Sequence, residues 1–511
     1  MIQARTTCLK KIAAHLPLVL ILVFSTANAA PFPGGGGPGG NTFQEDGATF
    51  QQSMRARMQA RMQQQQRRKI QDRMSGIPES VLKLQSLEPI RMPAIDEAVA
   101  LALKAAARAA RPLIDTDFHN NGTTLTVPKD FPTIQQAIDN AKPGDTVLVL
   151  PGVYFEQLVM KDGIKLTSDP SGHGNDPVAV AGARIRLPER VLRTIIDGSK
   201  SRPSRHGMID FDPGVGRTAI IDGFTIQNLP IQNHHIPGHA HGLNIRGASP
   251  VITNCLIRSM GSTGIGSHVV YNDQESRMSK RDFRWANIKY QASAVLYNNV
   301  IRDSVGLGIG CNHFSSPFIL GNEVFNNDDS SLGETPSPGM GNKHGSFATI
   351  IGNIVHDNPG GGIMAKTGAL QGKYGIDRKT HPTIRNNVIY DNGRRKPGIS
   401  CKNAGSLETP IVISNNYVYR ATGVGIGLRE NSIAIVEDNM VMHSQGPDIT
   451  INNSIVLKLD GNKIIGLATA PGITIVNGST VHEMIGNAVE NGKLPRFMVD
   501  HKSEVKEAGS R

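Results

Sequence analysis

Cysteine is scarce in this chain, four residues in 511. Cys8 stands ahead of the first apolar run, which excludes it as a lipid-bearing cysteine, and Cys255, Cys311 and Cys401 are an odd number that completes no disulfide framework. They read as small buried apolar side chains. Tryptophan occurs once, at Trp285. Long apolar runs are also few. The run from Leu16 to Phe24 is short for a bilayer span, and no later run is long or apolar enough, so no transmembrane segment is expected. The leucine frame of a horseshoe repeat is missing as well, which excludes that solenoid class.

What the chain does have is a phrase that returns: an Asn, an apolar pair, a polar turn, then Gly-Ile. Aligned on its first position it gives Cys255, Asn299, Asn322, Asn353, Asn387, Asn416, Asn439, Asn462 and Asn487, with steps of 44, 23, 31, 34, 29, 23, 23 and 25 residues. A unit of 23 recurs nearly bare, and elsewhere it carries insertions. The apolar residues alternate or pair over four or five positions and are rich in Ile and Val, so each unit is two or three short strands joined by turns. Such coils stack into an all-β parallel solenoid in which every backbone pairs with the coil above and below. Asn at one place per coil predicts a ladder of side-chain amides along the axis. Gly before Ile is expected to supply positive φ at the turn. Cys311 and Cys401 fall on the same inward strand position three coils apart, and Cys255 falls in the ladder.

Ahead of the repeat, Lys10, Lys11, the Leu16 to Phe24 run and Ala27-Asn28-Ala29 read as a secretory signal peptide over residues 1–30. A periplasmic or extracellular location is expected. Residues 31–120 read as an arm outside the solenoid: a PFPGGGGPGGN linker, a Gln/Arg/Met tract with Met54, Met58 and Met62 four apart, and an Ala-rich helical segment from Pro93. Residues 51–111 hold 12 Lys or Arg against 5 Asp or Glu, which leaves the solenoid close to neutral although the whole chain is at +11. The arm could bind a polyanion, nucleic acid or an anionic surface, but it reads better as a solvated tether, and no nucleic-acid partner is expected. The solenoid is expected over residues 121–492, opened by a short helix with Thr133 and Gln136 as its capping box, and followed by a charged tail over 493–511. A helix there would cover the open first coil.

With LTVPKDFPTIQQAIDNAKPGDTVLVLPGVYFE and the phrases above, the chain resembles right-handed parallel β-helix proteins, the superfamily of pectate lyases and pectin methylesterases. The resemblance spans about residues 121–490 and implies that fold. The paired aspartates and Arg-Pro-Trp of pectin methylesterases are not present, nor are the Asp-Pro-His-Asp run of mannuronan epimerases and the paired aspartates of polygalacturonases.

The repeat also carries a stripe. Four residues beyond the Gly that opens each Gly-Ile strand stand Arg246, His268, Asn312, Lys343, Lys366, Lys402, Arg429, Asn452 and Val476. The residue one beyond that Gly is apolar and points inward, so positions two and four beyond it point outward. Position two holds Asn244, Gly266, Gly310, Gly341, Met364, Ser400 and Gly427, and the two rows together predict a shallow trough lined with positive charge. Any solenoid face needs polar residues, but three Lys and two Arg with no acid at that position favour a ligand. Insertions at 269–292, with Trp285 and several Arg and Lys, at 326–338, which is acidic, and at 367–382, with Tyr374 and His381, gather around it. Aromatics among bases suit sugar rings and carboxylates. The expected substrate-binding residues are Arg246, His268, Asn312, Lys343, Lys366, Trp285 and Tyr374.

GISCKNAGSLETPIVISNNYVYRATGVGIGLREN (Gly398 to Asn431) resembles part of the chondroitinase B and alginate lyase type of β-helix enzyme. That resemblance implies Lys402 as the base and Arg429 as the acid or carboxylate neutraliser in β-elimination of a uronate. That family's calcium-binding acids are replaced here by Pro397-Gly398-Ile399-Ser400, so no cofactor is assigned, and calcium stays open without a clear ligand set. The His234, His235, His239 and His241 group matches no standard zinc spacing and reads equally as a polar loop; no metal is assigned to it. The expectation is a secreted, monomeric protein that binds an acidic polysaccharide as a lyase-like enzyme, or holds it without catalysis as an envelope or matrix protein.

Overall fold

The computed structural model describes residues 77–114, 118–201, 207–230, 241–272, 284–327, 336–368, 376–492 and 494–506. The signal segment, the linker, the Met tract, Tyr374 and His234, His235 and His239 therefore lie outside the described residues. Three short strands per coil stack into three parallel sheets. The first runs from Thr124–Val127 to Glu504–Val505 (15 strands), the second from Gly152–Tyr154 to Ala488–Glu490 (12) and the third from Leu158–Met160 to Phe497–Val499 (12). Inward positions are Ile, Val and Leu, and they form one continuous core along the axis. The free thiols Cys255, Cys311 and Cys401 are buried in that core. Because Phe497–Val499 and Glu504–Val505 extend the third and first sheets, the coils continue past residue 492 into the segment read as a tail.

The asparagine ladder is present over its whole length. Asn299 Nδ2 donates to Asn322 Oδ1 at 2.9 Å, Asn322 to Asn353 at 3.1 Å, and the chain of amides continues through Asn387, Asn416, Asn439 and Asn462 to Asn487. Each Oδ1 also accepts the backbone N–H of the preceding ladder residue, as Asn353 does from Asn322 N at 2.9 Å. Buried turn groups are thereby satisfied coil by coil. A second, shorter row, Asn327, Asn358 and Asn392, does the same five residues further on. Its signal was in the sequence, since Asn follows ladder Asn322, Asn353 and Asn387 at the same +5 offset.

Gly before Ile is not at positive φ. That conformation falls instead on the residue before each ladder Asn, such as Asn298, Asn386 and Asn415 at φ 53°, 56° and 56°. The Gly row exists for space. A Cβ on Gly308 would lie 2.4 Å from Val324 Cγ1, and one on Gly425 2.3 Å from Val441 Cγ1. At Gly308 and Gly425 the corner into the Gly-Ile strand passes too close to these second-sheet core side chains for a side chain of its own.

The two ends are closed differently. Helix α1, Glu79–Lys83, lies at the far end of the solenoid, where Ile77 and Val81 join the core. Gln85 Oε1 accepts from Asn487 N and Nδ2, both at 3.1 Å, and so terminates the ladder with an amide from 402 residues away. The chain then returns along the outside as α2, Ile95–Ile114, whose buried Ala98, Ala102, Ala106 and Ala110 recur every fourth residue. Small residues permit close docking: a Cβ on Gly352, at φ 68°, would meet the Ala102 carbonyl at 2.2 Å. At the near end α3, Ile134–Asn140, capped by Thr133 Oγ1 accepting from Gln136 N at 3.2 Å, buries Ile134, Ala137 and Ile138 over the first coil. Residues 77–114, read from sequence as part of a tether, are thus a cap and a strap packed on the solenoid. Their propensity was legible, but the 400-residue closure of Gln85 on Asn487 was not.

The strap and the hairpin Pro177–Ala179/Arg186–Pro188 cover the outer faces of the first two sheets. Ala98, Val99, Val180, Ile185 and Leu187 bury Phe325, Tyr390 and Met442 of the second sheet, and Ala106 and Ala110 pack with Val251, Val295 and Leu320 of the first. Fully buried Glu323 fixes the hairpin by accepting Arg184 N and Ile185 N, while the Arg184 guanidinium reaches Asp96 of α2 at 2.6 Å. Neither apolar layer includes a residue of the third sheet.

Candidate functional site on the third sheet

The stripe read from the sequence is a row in register. Arg246 pairs with His268, His268 with Asn312, Lys343 with Lys366, Lys366 with Lys402, Lys402 with Arg429 and Arg429 with Asn452. The Cys311–Asn342 pairing one residue earlier sets Lys343 next to Asn312. Ile399, Ser400 and Cys401 are all buried and Lys402 is half-exposed, so the row residue is open while the position two before it is covered. Four cations thus stand on consecutive coils about 4.8 Å apart.

The trough beside them is shallower than its small residues imply. The His241 ring lies over Gly266, where a Cβ would come within 1.9 Å of Cδ2, and Leu307 packs over Gly310 and Gly341. These glycines seat side chains from the neighbouring corner instead of leaving an open floor.

The environment differs along the row. His241 Nε2 and His268 Nε2 are 3.0 Å apart in a hydrogen bond, with His313 next in line and His344 beyond it at centroid spacings of 6.2 and 5.3 Å. Burial, reinforced by His241, Arg246 and His344, pushes His268 down to about 3, and burial holds His344 at about 4. Both are neutral imidazoles at physiological pH. Burial, with the charge of Lys366, also lowers the pKa of Lys343. Lys402 differs: its Nζ lies 2.7 Å from Glu430 Oε1, and this ion pair holds the Glu430 carboxyl below its usual range. Glu430 is at the corner just beyond the row and was missed in the sequence because it departs from the His or Asn that its equivalents His313, His344, Asn403, Asn453 and Asn477 place there.

Described residues of two insertions meet each other. Trp285 N donates to Asp377 Oδ1 at 3.1 Å, the Arg378 guanidinium lies 4.5 Å from the Trp285 ring centre, and the ring meets Phe314 edge-on at 6.0 Å and Phe347 at 5.5 Å. Trp285 therefore joins the 269–292 and 367–382 insertions by packing, with the Arg378 cation on its ring. It is half-buried in that contact instead of presenting an open stacking face. Lys379 crosses to Asn431 O at 3.0 Å. Among the described residues, no group of three or more His, Cys, Asp or Glu side chains is placed to hold a metal ion. No described helix is long and apolar enough to cross a membrane.

The sequence profile described as "Right handed beta helix region" matches residues 218–372 and 371–506. Among solved structures, the A-module of the mannuronan C-5 epimerase AlgE4 of Azotobacter vinelandii is 15% identical at a TM-score of 0.39, covering 76% of this chain and 99% of that one. The periplasmic alginate epimerase AlgG is 12% identical at 0.40, covering 82% and 99%. The Agl-KA catalytic domain is 12% identical at 0.47, covering 73% and 64%. At these TM-scores the neighbours carry no argument about chemistry. No curated protein matches the sequence.

Proposed function

The chain belongs to the right-handed β-helix family, and from that premise we propose that its third sheet binds an acidic, uronate-containing polysaccharide and acts on it as a lyase. One observation carries this reading: Lys343, Lys366, Lys402 and Arg429 stand in strand register on the one sheet that neither apolar cover reaches. A solvated face needs only polarity, whereas adjacent like charges repel, and a polyanion laid along the row relieves that repulsion. The signal peptide expected from residues 1–30 of the sequence supports a periplasmic or extracellular location, where such polymers occur.

β-Elimination needs the uronate carboxylate neutralised, a base for the C5 proton and a proton for the departing O4. The C5–H and C4–O4 bonds break, the electron pair leaves on O4, and a C4–C5 double bond remains. The resemblance assigns the base to Lys402 and the acid or neutraliser to Arg429. The geometry supports a different base, because Lys402 is engaged by Glu430 while Lys343 is the lysine whose surroundings favour its neutral form. We therefore assign base to Lys343, whose ammonium, formed on taking the C5 proton, can return it to the departing O4, and carboxylate neutralisation to Lys366 and Arg429, with Arg246, His268 and Asn312 binding the polymer further along.

Absorbance at the unsaturated-uronate band, after incubation with alginate, pectate and glycosaminoglycans, tests this. Lys343→Ala should lower turnover at least about a hundredfold, as loss of a positioned base does. Loss on Lys402→Ala with Lys343→Ala active would return the base to Lys402. A second reading, a non-catalytic envelope or matrix protein, is favoured by the Lys402–Glu430 ion pair, which occupies one cation of the row; retention of polymer without any unsaturated product would select it.

A further inference from the structure

The row is interrupted by the protein's own carboxylate. At the corner after most row residues, though not after His268 or Lys366, the backbone takes positive φ, and five of the coils meet that demand with His313, His344, Asn403, Asn453 or Asn477. Between Asn403 and Asn453 in this series, Glu430 takes φ 54° with a longer side chain that gains nothing from the left-handed region. That placement sets Oε1 against Lys402 Nζ at 2.7 Å, between Lys366 and Arg429 in the register. Asn403, at the same corner one coil earlier, offers a shorter neutral amide where Glu430 has a charge.

Resting on the polyuronate reading above, we propose that Glu430 is a specificity-determining residue that stands in for a ligand carboxylate at Lys402, so that a bound chain is held by charge at Lys366 and Arg429 and must displace Glu430, or present an uncharged sugar, at the position between. A uniform polyanion is then penalised at one subsite, and a polymer with a neutral unit or a reduced charge density there is favoured. The Lys402 contribution to binding is hidden until Glu430 is neutralised.

The test is affinity for a fully charged oligouronate, measured by calorimetry on the full chain, for wild type, Glu430→Gln, Lys402→Ala and the double variant. Glu79→Gln, an exposed charge change on the end cap, controls for net charge. Glu430→Gln should tighten binding about three- to tenfold while Glu79→Gln leaves it unchanged, as one well-placed surface charge contributes. Lys402→Ala should weaken binding less than about twofold in wild type and about three- to tenfold in the Glu430→Gln background, the coupling a double-mutant cycle reads. Wild-type binding that is unaltered or weakened by Glu430→Gln overturns this inference and leaves the polyuronate reading standing. Binding by Glu430→Gln alone supports it in its strongest form. Absence of binding in every variant removes both.

Discussion

Asn353 and Lys366 lie thirteen positions apart in one coil and are held by opposite rules. Asn353 is fully buried: its Nδ2 donates to Ile319 O at 2.8 Å and Asn387 Oδ1 at 3.0 Å, and its Oδ1 accepts from Asn322 N and Nδ2. Lys366 stands on the open sheet between two cations and has no such obligations to the fold. The closed sides of the solenoid spend their polar groups on each other, and the open side aims like charges outward. What differs between them is whether the residue is explained once the fold is satisfied; Asn353 is, and the row is not.

That difference sets an order of stability losses. Asn353→Ala strands the Asn322 N–H, removes the donor to Ile319 O and opens a cavity, so it should cost about 3–5 kcal/mol. Gln85→Ala removes the acceptor for Asn487 N and Nδ2 under the end cap and should cost about 1–3 kcal/mol. Lys366→Ala should stay within about 0.5 kcal/mol, as surface changes do. Urea midpoints on the full chain read all three, and equal losses for Asn353→Ala and Lys366→Ala would erase the distinction between the two regions.

The ladder, the coil of short strands and the register of Arg246 through Arg429 were legible because each repeats, and repetition reports a constraint met again in every coil. Features that occur once were not. Gln85 closes the ladder from outside the repeat, Glu430 departs from its corner's residue type, and Leu307 and the His241 ring fill a trough that small residues alone suggest is open. The role of Gly before Ile was misjudged for another reason: glycine signals either freedom of φ or lack of room, and only the Val324 and Val441 methyl groups beside Gly308 and Gly425 decide for room.

One buried group breaks the closed side's rule and gives a pH signature. Asp448 occupies the Gly position of its coil, is 2% exposed, and accepts from Ser444 N at 3.2 Å; burial raises it from 3.8 to about 7. Between those values the folded protein retains a proton that the unfolded chain releases, so stability falls as pH rises from about 4 to 7 and stays reduced above that. Asp448→Asn should flatten that decline, raising the melting temperature above pH 7 by several degrees and changing it little near pH 4. A decline of the same size in the variant would place its origin in other groups.

The smallest expected effect separates the two ends of the open face. Because His268 and His344 are held at about 3 and 4, neither carries charge between pH 6 and pH 8. Replacing either with Asn should leave the salt dependence of polyuronate binding unchanged at both pH values, since no ionic contact is lost. Lys366→Ala should reduce that dependence, because one screened charge pair disappears. The comparison is internal to one face, so polymer choice and net charge affect both arms alike. If His268→Asn lowers the salt dependence at pH 6 as much as Lys366→Ala does, the imidazole is protonated in the complex. The ligand's carboxylates would then have repaid its desolvation, and the cationic row would extend through the histidines to Arg246.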